Sequence, residues 1–171
     1  MINEILKNST RFIFLVLFQI LILNNIHLSG FLNPFLYVLF ILMLPFQTPK
    51  WLGLILAFFI GITIDMFSDT GGLHAAASVF MAFSRPAVLK LVSPRDGYDL
   101  NRSLTLKQLG FNWFFSYSAI LIIAHHFVLF YLEVFNFSNF FSTLFRVIAS
   151  SLFSITLVII SQFFSSNSRL K

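Results

Sequence analysis

Asp65, His74, Arg85, His125, His126 and Arg146 stand inside or at the ends of long apolar runs. An ionisable group there is costly unless it is paired, hydrogen-bonded or wet, so each needs a reason to be present. Asp65 and His74 flank the turn Asp69-Thr70-Gly71-Gly72, which is short enough to bring the imidazole back beside the carboxylate. That pairing permits two uses, a structural ion pair or turn cap, or a polar point for protein binding or transport. Arg146 shares a helical face with Ser150 and Ser154, and its acidic partners are Glu133 or Asp65 unless it snorkels to the surface. His125-His126 suggest a metal, yet neighbours on a helix point about 100° apart. No Cys or carboxylate near them completes a ligand set, so no metal site is expected. There is no supported Ser/His/Asp arrangement, Gly-rich phosphate loop or paired-carboxylate site. No catalytic residue, no cofactor and no enzymatic activity are therefore expected.

The elements that must position these residues follow from composition. Of 171 residues 58% are apolar, 10% are charged and 25 are Phe, more apolar surface than a water-soluble core of this length can hide. A bilayer core of about 30 Å is crossed by roughly 20 apolar residues, and polar or Pro/Gly punctuation divides the chain into stretches of about that length. The reading is an all-α polytopic membrane protein, a single integral membrane domain over 1–171. Its six predicted spans cover 11–28, 31–46, 51–67, 73–92, 111–132 and 140–164. Lys7 and Arg11 ahead of the first run resemble a signal peptide. That run is too long and lacks a small-residue cleavage site, which makes it a retained helix. The net charge of +5 is spread between the runs and forms no continuous basic patch, so nucleic acid is not an expected partner. With no cysteine, disulfides and thiolate chemistry are excluded.

With a cytoplasmic amino terminus, every Lys and Arg except Arg146 falls on or near the cytoplasmic side of a six-span layout. The positive-inside rule therefore favours both termini in the cytoplasm. Segment 93–110 is the sizeable non-membrane piece, and its Leu100 to Leu109 stretch is expected to lie on the membrane as a basic helix, contacting lipid or a cytoplasmic partner. Gly53, Ala57, Gly61 and Asp65 recur every four residues, as do His74, Ser78 and Ala82. Two small, polar faces of this kind let helices approach closely, as a packing groove or a substrate-lined one.

The run Gly61-Ile-Thr-Ile-Asp65-Met-Phe-Ser-Asp-Thr-Gly71-Gly72-Leu73-His74-Ala75-Ala76, followed by Arg85-Pro86 and Pro94-Arg95-Asp96-Gly97-Tyr98, resembles the central region of the rod-shape-determining protein MreD family. The likeness covers roughly 61–98; elsewhere it is one of hydropathy and span order. Gly61, Asp65, Gly72 and His74 match the motif, and Arg85-Pro86 matches the basic end of the following helix. Asp69 and the doubled Gly71-Gly72 depart from the family pattern. The resemblance implies a non-enzymatic inner-membrane scaffold of the bacterial cell-elongation complex, needed for rod shape and lateral peptidoglycan synthesis. It implies binding to MreC and, through it, to MreB, RodA and a penicillin-binding transpeptidase, with membrane lipid around the bundle. The family fold is similar to the substrate-binding subunits of energy-coupling-factor transporters. The alternative is accordingly a small-molecule (vitamin) binding subunit of a membrane transporter.

Overall fold

The computed structural model describes residues 2–26, 33–95, 97–99, 103–135 and 140–167. Outside them lie Asp96, Arg102, Arg169 and Lys171, the Ser29-Gly30 break and residues 136–139 of the turn before the last span. Regular structure among the described residues is all helical. The elements are α1 (Ile2–Leu21), a 3-10 turn (Leu23–Asn25), α2 (Leu39–Leu42), α3 (Lys50–Ser68), α4 (Leu73–Leu91), α5 (Leu106–Leu109), α6 (Phe111–Val134) and α7 (Phe140–Asn167). Among the described residues three helices are long and apolar enough to cross a membrane: Lys50–Ser68, Phe111–Val134 and Phe140–Phe164. At about 1.5 Å per residue even the shortest, α3, reaches about 28 Å, close to the thickness of a hydrocarbon core. α1 and α4 match it in length but carry charge within the helix, Arg11 in one and Arg85 and Lys90 in the other. Many large apolar side chains point outward, with Phe141 83% and Met66 75% exposed, as suits a bundle solvated by lipid.

The first predicted span is displaced. Its helix already begins at Ile2 and ends at Leu21, and the 3-10 turn takes up the polar Asn24-Asn25. The second predicted span, 31–46, is not a helix: residues 33–36 have no regular structure and only Leu39–Leu42 are helical. This segment runs through the middle of the bundle, from Asn33 beside the α3–α4 turn to Leu44 and Pro45 beside Arg85, and residues 35–42 are all buried. Pro34 and Pro45 bracket the segment, and each disfavours helical backbone in the residue before it, Asn33 and Leu44.

Non-helical backbone at this depth survives only if its polar groups find partners in the protein. Side chains supply them. Ser150 accepts from Asn33 N–H at 3.2 Å, Ser154 from Phe35 N–H at 2.9 Å and Gln19 Oε1 from Leu36 N–H at 2.8 Å. Gln19 Nε2 donates to Pro34 C=O at 3.1 Å, and the Tyr117 hydroxyl to Leu42 C=O at 3.1 Å. Gln19 thus satisfies two backbone groups at once while 1% exposed. Gln19→Leu, nearly isosteric, leaves both groups buried and unpaired and will destabilise the protein by about 2–3 kcal/mol in reversible unfolding in bicelles. A change under half that size would mean that the segment relaxes into other partners.

α3 and α4 make the most extensive helix contact, followed by α4 with α6 and α6 with α7, and α1 packs on α3. The hairpin closes so tightly because Gly61 has no side chain: a Cβ there would sit 2.4 Å from Ala75 Cα and 2.6 Å from His74 C=O. Ala57, also fully buried, continues this face, whereas a Cβ at Gly53 would meet nothing within 4 Å. The small-residue stripe therefore serves helix packing over its Ala57–Asp65 part only. At the other end of α4, the Tyr98 hydroxyl donates to Leu89 C=O at 2.7 Å and Trp113 Nε1 to Val92 C=O at 2.9 Å. These bonds pin segment 93–110 against α4 and α6. Its described part holds helix at Leu106–Leu109 alone, shorter than the surface helix predicted from Leu100.

Candidate functional site

The site is built around the α3–α4 turn. α3 ends because Asp69 takes a left-handed backbone (φ 50°), and α4 begins after Gly72, also left-handed (φ 92°), so two reversals within four residues fold α4 back on α3. The first N–H groups of a helix have no partner within it. Here the missing acceptor is Asp65, one turn before the end of the preceding helix. Its Oδ1 accepts from His74 N–H at 3.0 Å and its Oδ2 from Ala75 N–H at 2.9 Å. The Thr70 hydroxyl donates to Oδ1 at 2.6 Å, and His74 Nδ1 lies 3.1 Å from the same oxygen. A negative group at a helix N-terminus is also favoured by the peptide dipoles. Asp65 therefore acts at once as a cap, as the partner of His74 and as the clasp of the hairpin.

The hydrogen-bond chemistry orients the His74 ring. Because the Asp65 carboxylate only accepts, a proton on Nδ1 points to it, and Nε2 forms the opposite edge of the ring. No hydrogen-bond partner reaches that buried Nε2. A related network fills the middle of the bundle. His126 Nδ1 lies 2.9 Å from Ile122 C=O and must donate, so Nε2, 3.0 Å from Ser154 Oγ, accepts; that hydroxyl in turn receives Phe35 N–H. His125 Nε2 lies 2.7 Å from the Tyr37 hydroxyl. The two histidines thus hold different partners in the core, and among the described residues no cluster of His, Cys, Asp or Glu is arranged to hold a metal ion.

Arg85 and Arg146 mark opposite ends. Sequence places Arg85 near a cytoplasmic surface, but the side chain is buried, 7% exposed. Its Nε donates to the Tyr117 hydroxyl at 2.9 Å and its terminal nitrogen to Leu44 C=O and, at 3.3 Å, to Pro45 C=O. It ties the far end of the buried segment to α4 and α6. At the Asp65 end, Arg146 pairs with Glu133 at 3.0 Å, and its guanidinium lies 4.3 Å from the Phe130 ring centre. Of the two acids open to it on sequence grounds, Glu133 is the partner and Asp65 is not. Glu133 is 39% exposed, so the pair contributes less than about 1 kcal/mol. Arg146→Glu and Glu133→Arg should each lower stability slightly and the double exchange recover most of the loss; double-mutant thermal unfolding measures it, and absent recovery would dismiss the pairing.

Between these groups lies a cavity of about 460 Å³, lined by the end of α1, the start of the buried segment, the α3–α4 turn, the end of α6 and Arg146 of α7. Its lining mixes polar Asn24, Asp69, Thr70 and Glu133 with apolar Phe35, Phe67 and Phe130, and His74 forms part of its wall. No family model, curated protein or solved structure matches the chain. Physical reading of the site therefore stands alone here. Of the residues singled out by type and spacing, the fold joins Gly61, Asp65, Gly72 and His74 into one unit. Arg146 stands across the cavity from that unit, and Arg85 lies at the opposite end of α4. Gln19, Thr70 and Tyr117 were not marked as functional by sequence. Only Gln19, a lone amide late in an apolar helix, carried a visible signal, since such a group must find a buried partner.

Proposed function

We propose that this chain is an MreD-type scaffold of the bacterial cell-elongation complex, acting without chemistry of its own by binding an MreC-type partner in the inner membrane. The observation that carries it is the run from Gly61 to Ala76 with Arg85-Pro86 beyond it. Four residues of that run have a structural reason. Gly61 permits the close helix contact, Asp65 caps α4, Gly72 supplies the left-handed turn and His74 completes the clasp. A rigid turn projecting from a bundle suits a docking point, since little order is lost when a partner binds it. On this reading the membrane is crossed six times, by α1, the buried segment, α3, α4, α6 and α7. Arg11, Lys50, Arg85 and Lys90 gather at one end and Arg146 at the other, which supports both termini in the cytoplasm. The buried segment replaces one helix of a six-helix bundle similar to energy-coupling-factor subunits.

Depletion in the host tests this reading. Cells should round up or lyse, and tagged chain should co-purify an MreC-type protein and, with it, MreB, RodA and a penicillin-binding transpeptidase. Normal rod shape and normal wall incorporation after depletion would remove it. The cavity favours a second reading, a small-molecule (vitamin) binding subunit of a membrane transporter. That role requires a partner ATPase module to co-purify in place of the elongation proteins.

A further inference from the structure

The two ends of the bundle differ in charge. At the end that holds the cavity, Arg146 stands among Asp65, Asp69 and Glu133. At the opposite end Lys50, Lys90, Arg95 and Lys107 are all exposed, with Asp99 between the last two in sequence. Contacts gather these four cations on one rim. Lys50 opens α3 and Lys90 lies in the last turn of α4, and the two helices share the most extensive contact in the bundle. Because they run antiparallel, the start of one meets the end of the other. The Tyr98 hydroxyl and Trp113 Nε1, bonded to the Leu89 and Val92 carbonyls, hold the start of α6 and the segment that carries Arg95 and Lys107 against that end of α4. Arg85 is not part of the rim, because its donors go to Tyr117 and to carbonyls inside the bundle. Large exposed apolar side chains stand beside the cations: Trp51 (63% exposed) after Lys50, Leu91 after Lys90 and Phe111 four residues beyond Lys107. Charge alone would suit nucleic acid, an acidic protein or lipid. The apolar collar separates them, since at a bilayer surface the rings and lysine stems lie along acyl chains while the ammonium groups reach headgroup phosphate. A soluble polyanion leaves that collar unmatched.

We propose that this rim is a selective binding surface for anionic phospholipid. The headgroup phosphate lies against Lys50 and Lys90, Arg95 and Lys107 extend the positive surface, and the acyl chains run along Trp51 and Leu91. Zwitterionic lipid offers the same chains but no net charge, so the cations set the preference. This binding rests on the bundle lying in a bilayer and not on the scaffold role. Rod shape and partner co-purification read that role, and neither reads which lipid gathers at the rim.

The chain carries its own reporter, since its two tryptophans, Trp51 and Trp113, are both at this end. The full chain is reconstituted in vesicles of phosphatidylcholine with a minor share of phosphatidylglycerol. Bromine, which quenches a tryptophan it touches, is placed on the acyl chains of the phosphatidylglycerol in one preparation and of an equal amount of phosphatidylcholine in the other, so that overall composition is the same. Trp51→Phe gives the Trp113 signal to be subtracted. Trp51 should be quenched as though phosphatidylglycerol were enriched about fivefold beside it. Lys50→Gln with Lys90→Gln should bring that ratio close to one, Lys50→Arg with Lys90→Arg should retain it, and Arg146→Gln at the other end should leave it unchanged. Equal quenching by the two lipids in the parent overturns the proposal and would mean that the cations serve an acidic partner or only water. An undiminished preference in the glutamine pair overturns it as well. So does a loss in Arg146→Gln as large as in the glutamine pair, which would mean attraction by the charge of the whole chain. Erasure of the preference by inorganic phosphate at fixed ionic strength would mean a site for free phosphate instead of lipid, and that too overturns it.

Discussion

Asp65→Ala will destabilise the protein by about 3–5 kcal/mol, since it strips the partner from two backbone N–H groups, a threonine hydroxyl and an imidazole N–H in a nearly dry site. Two of these donors are backbone and cannot be redesigned away, so alanine does not gain from relief of the carboxylate's burial as it would if only side chains lost a partner. Asp65→Asn separates shape from charge. The amide oxygen can still accept at one N–H, but the amide nitrogen then faces another donor, so the loss should be about half that of alanine. Reversible unfolding in bicelles measures both variants. Equal stability of Asp65→Ala and the parent would show that α4 can start without its cap, and with it would go the account of the turn as a rigid element. If the turn also docks a partner, Asp65→Ala should reduce MreC-type co-purification, while a change outside the turn, such as Gly53→Ala, leaves it intact.

How far the site could be read in advance depends on the distance over which its parts depend on one another. Asp65 and His74 are nine positions apart across a turn that contains two glycines, and that is local information. That spacing foretold the meeting, but it left Asp65 open to Arg146 as well and did not mark Thr70. Gly61 was visible by spacing, although only the part of its stripe that faces α4 is buried tightly. The segment 31–46 shows the limit. A run such as Phe35 to Leu44 is apolar at every position, and uniform hydropathy cannot separate a spanning helix from a strand of chain threaded through a core. What decides the matter is whether remote side chains satisfy the backbone. Ser154 is 119 positions from Phe35, and Arg85 is 41 from Leu44. Nothing in the local sequence announces them, except that Pro34 and Pro45 already argue against continuous helix. The bonds of His125 and His126 to Tyr37 and Ser154 depend on that same threaded segment and so stayed hidden.

Arg85→Met should cost about 1–3 kcal/mol, and the sign is not obvious. A buried arginine without a carboxylate beside it bears a large desolvation cost, and replacing buried charges with apolar groups of similar volume often stabilises a protein. The balance turns on the acceptors. In a buried ion pair both partners can be replaced together, whereas Leu44 C=O and Pro45 C=O stay in the chain whatever stands at 85. Methionine fills the space and leaves Leu44 C=O without its donor in an apolar interior, at about 1–3 kcal/mol, while Pro45 C=O keeps the bond it accepts from Thr48 N–H at 3.2 Å. It also releases the Tyr117 hydroxyl, which keeps its own bond to Leu42 C=O and loses the Arg85 donor. The orphaned Leu44 carbonyl and the lost Tyr117 contact together outweigh the relief of burial. Arg85→Lys should fall between, because one ammonium on a flexible stem cannot reproduce the fork that reaches Tyr117 and the two carbonyls together. A double-mutant cycle with Tyr117→Phe isolates the Nε contact, with an expected coupling of about 1–2 kcal/mol. A neutral or stabilised Arg85→Met would mean that the far end of the threaded segment finds water or other donors. Arg85 would then serve membrane orientation alone, and the fold would need a different anchor where the buried segment leaves the bundle.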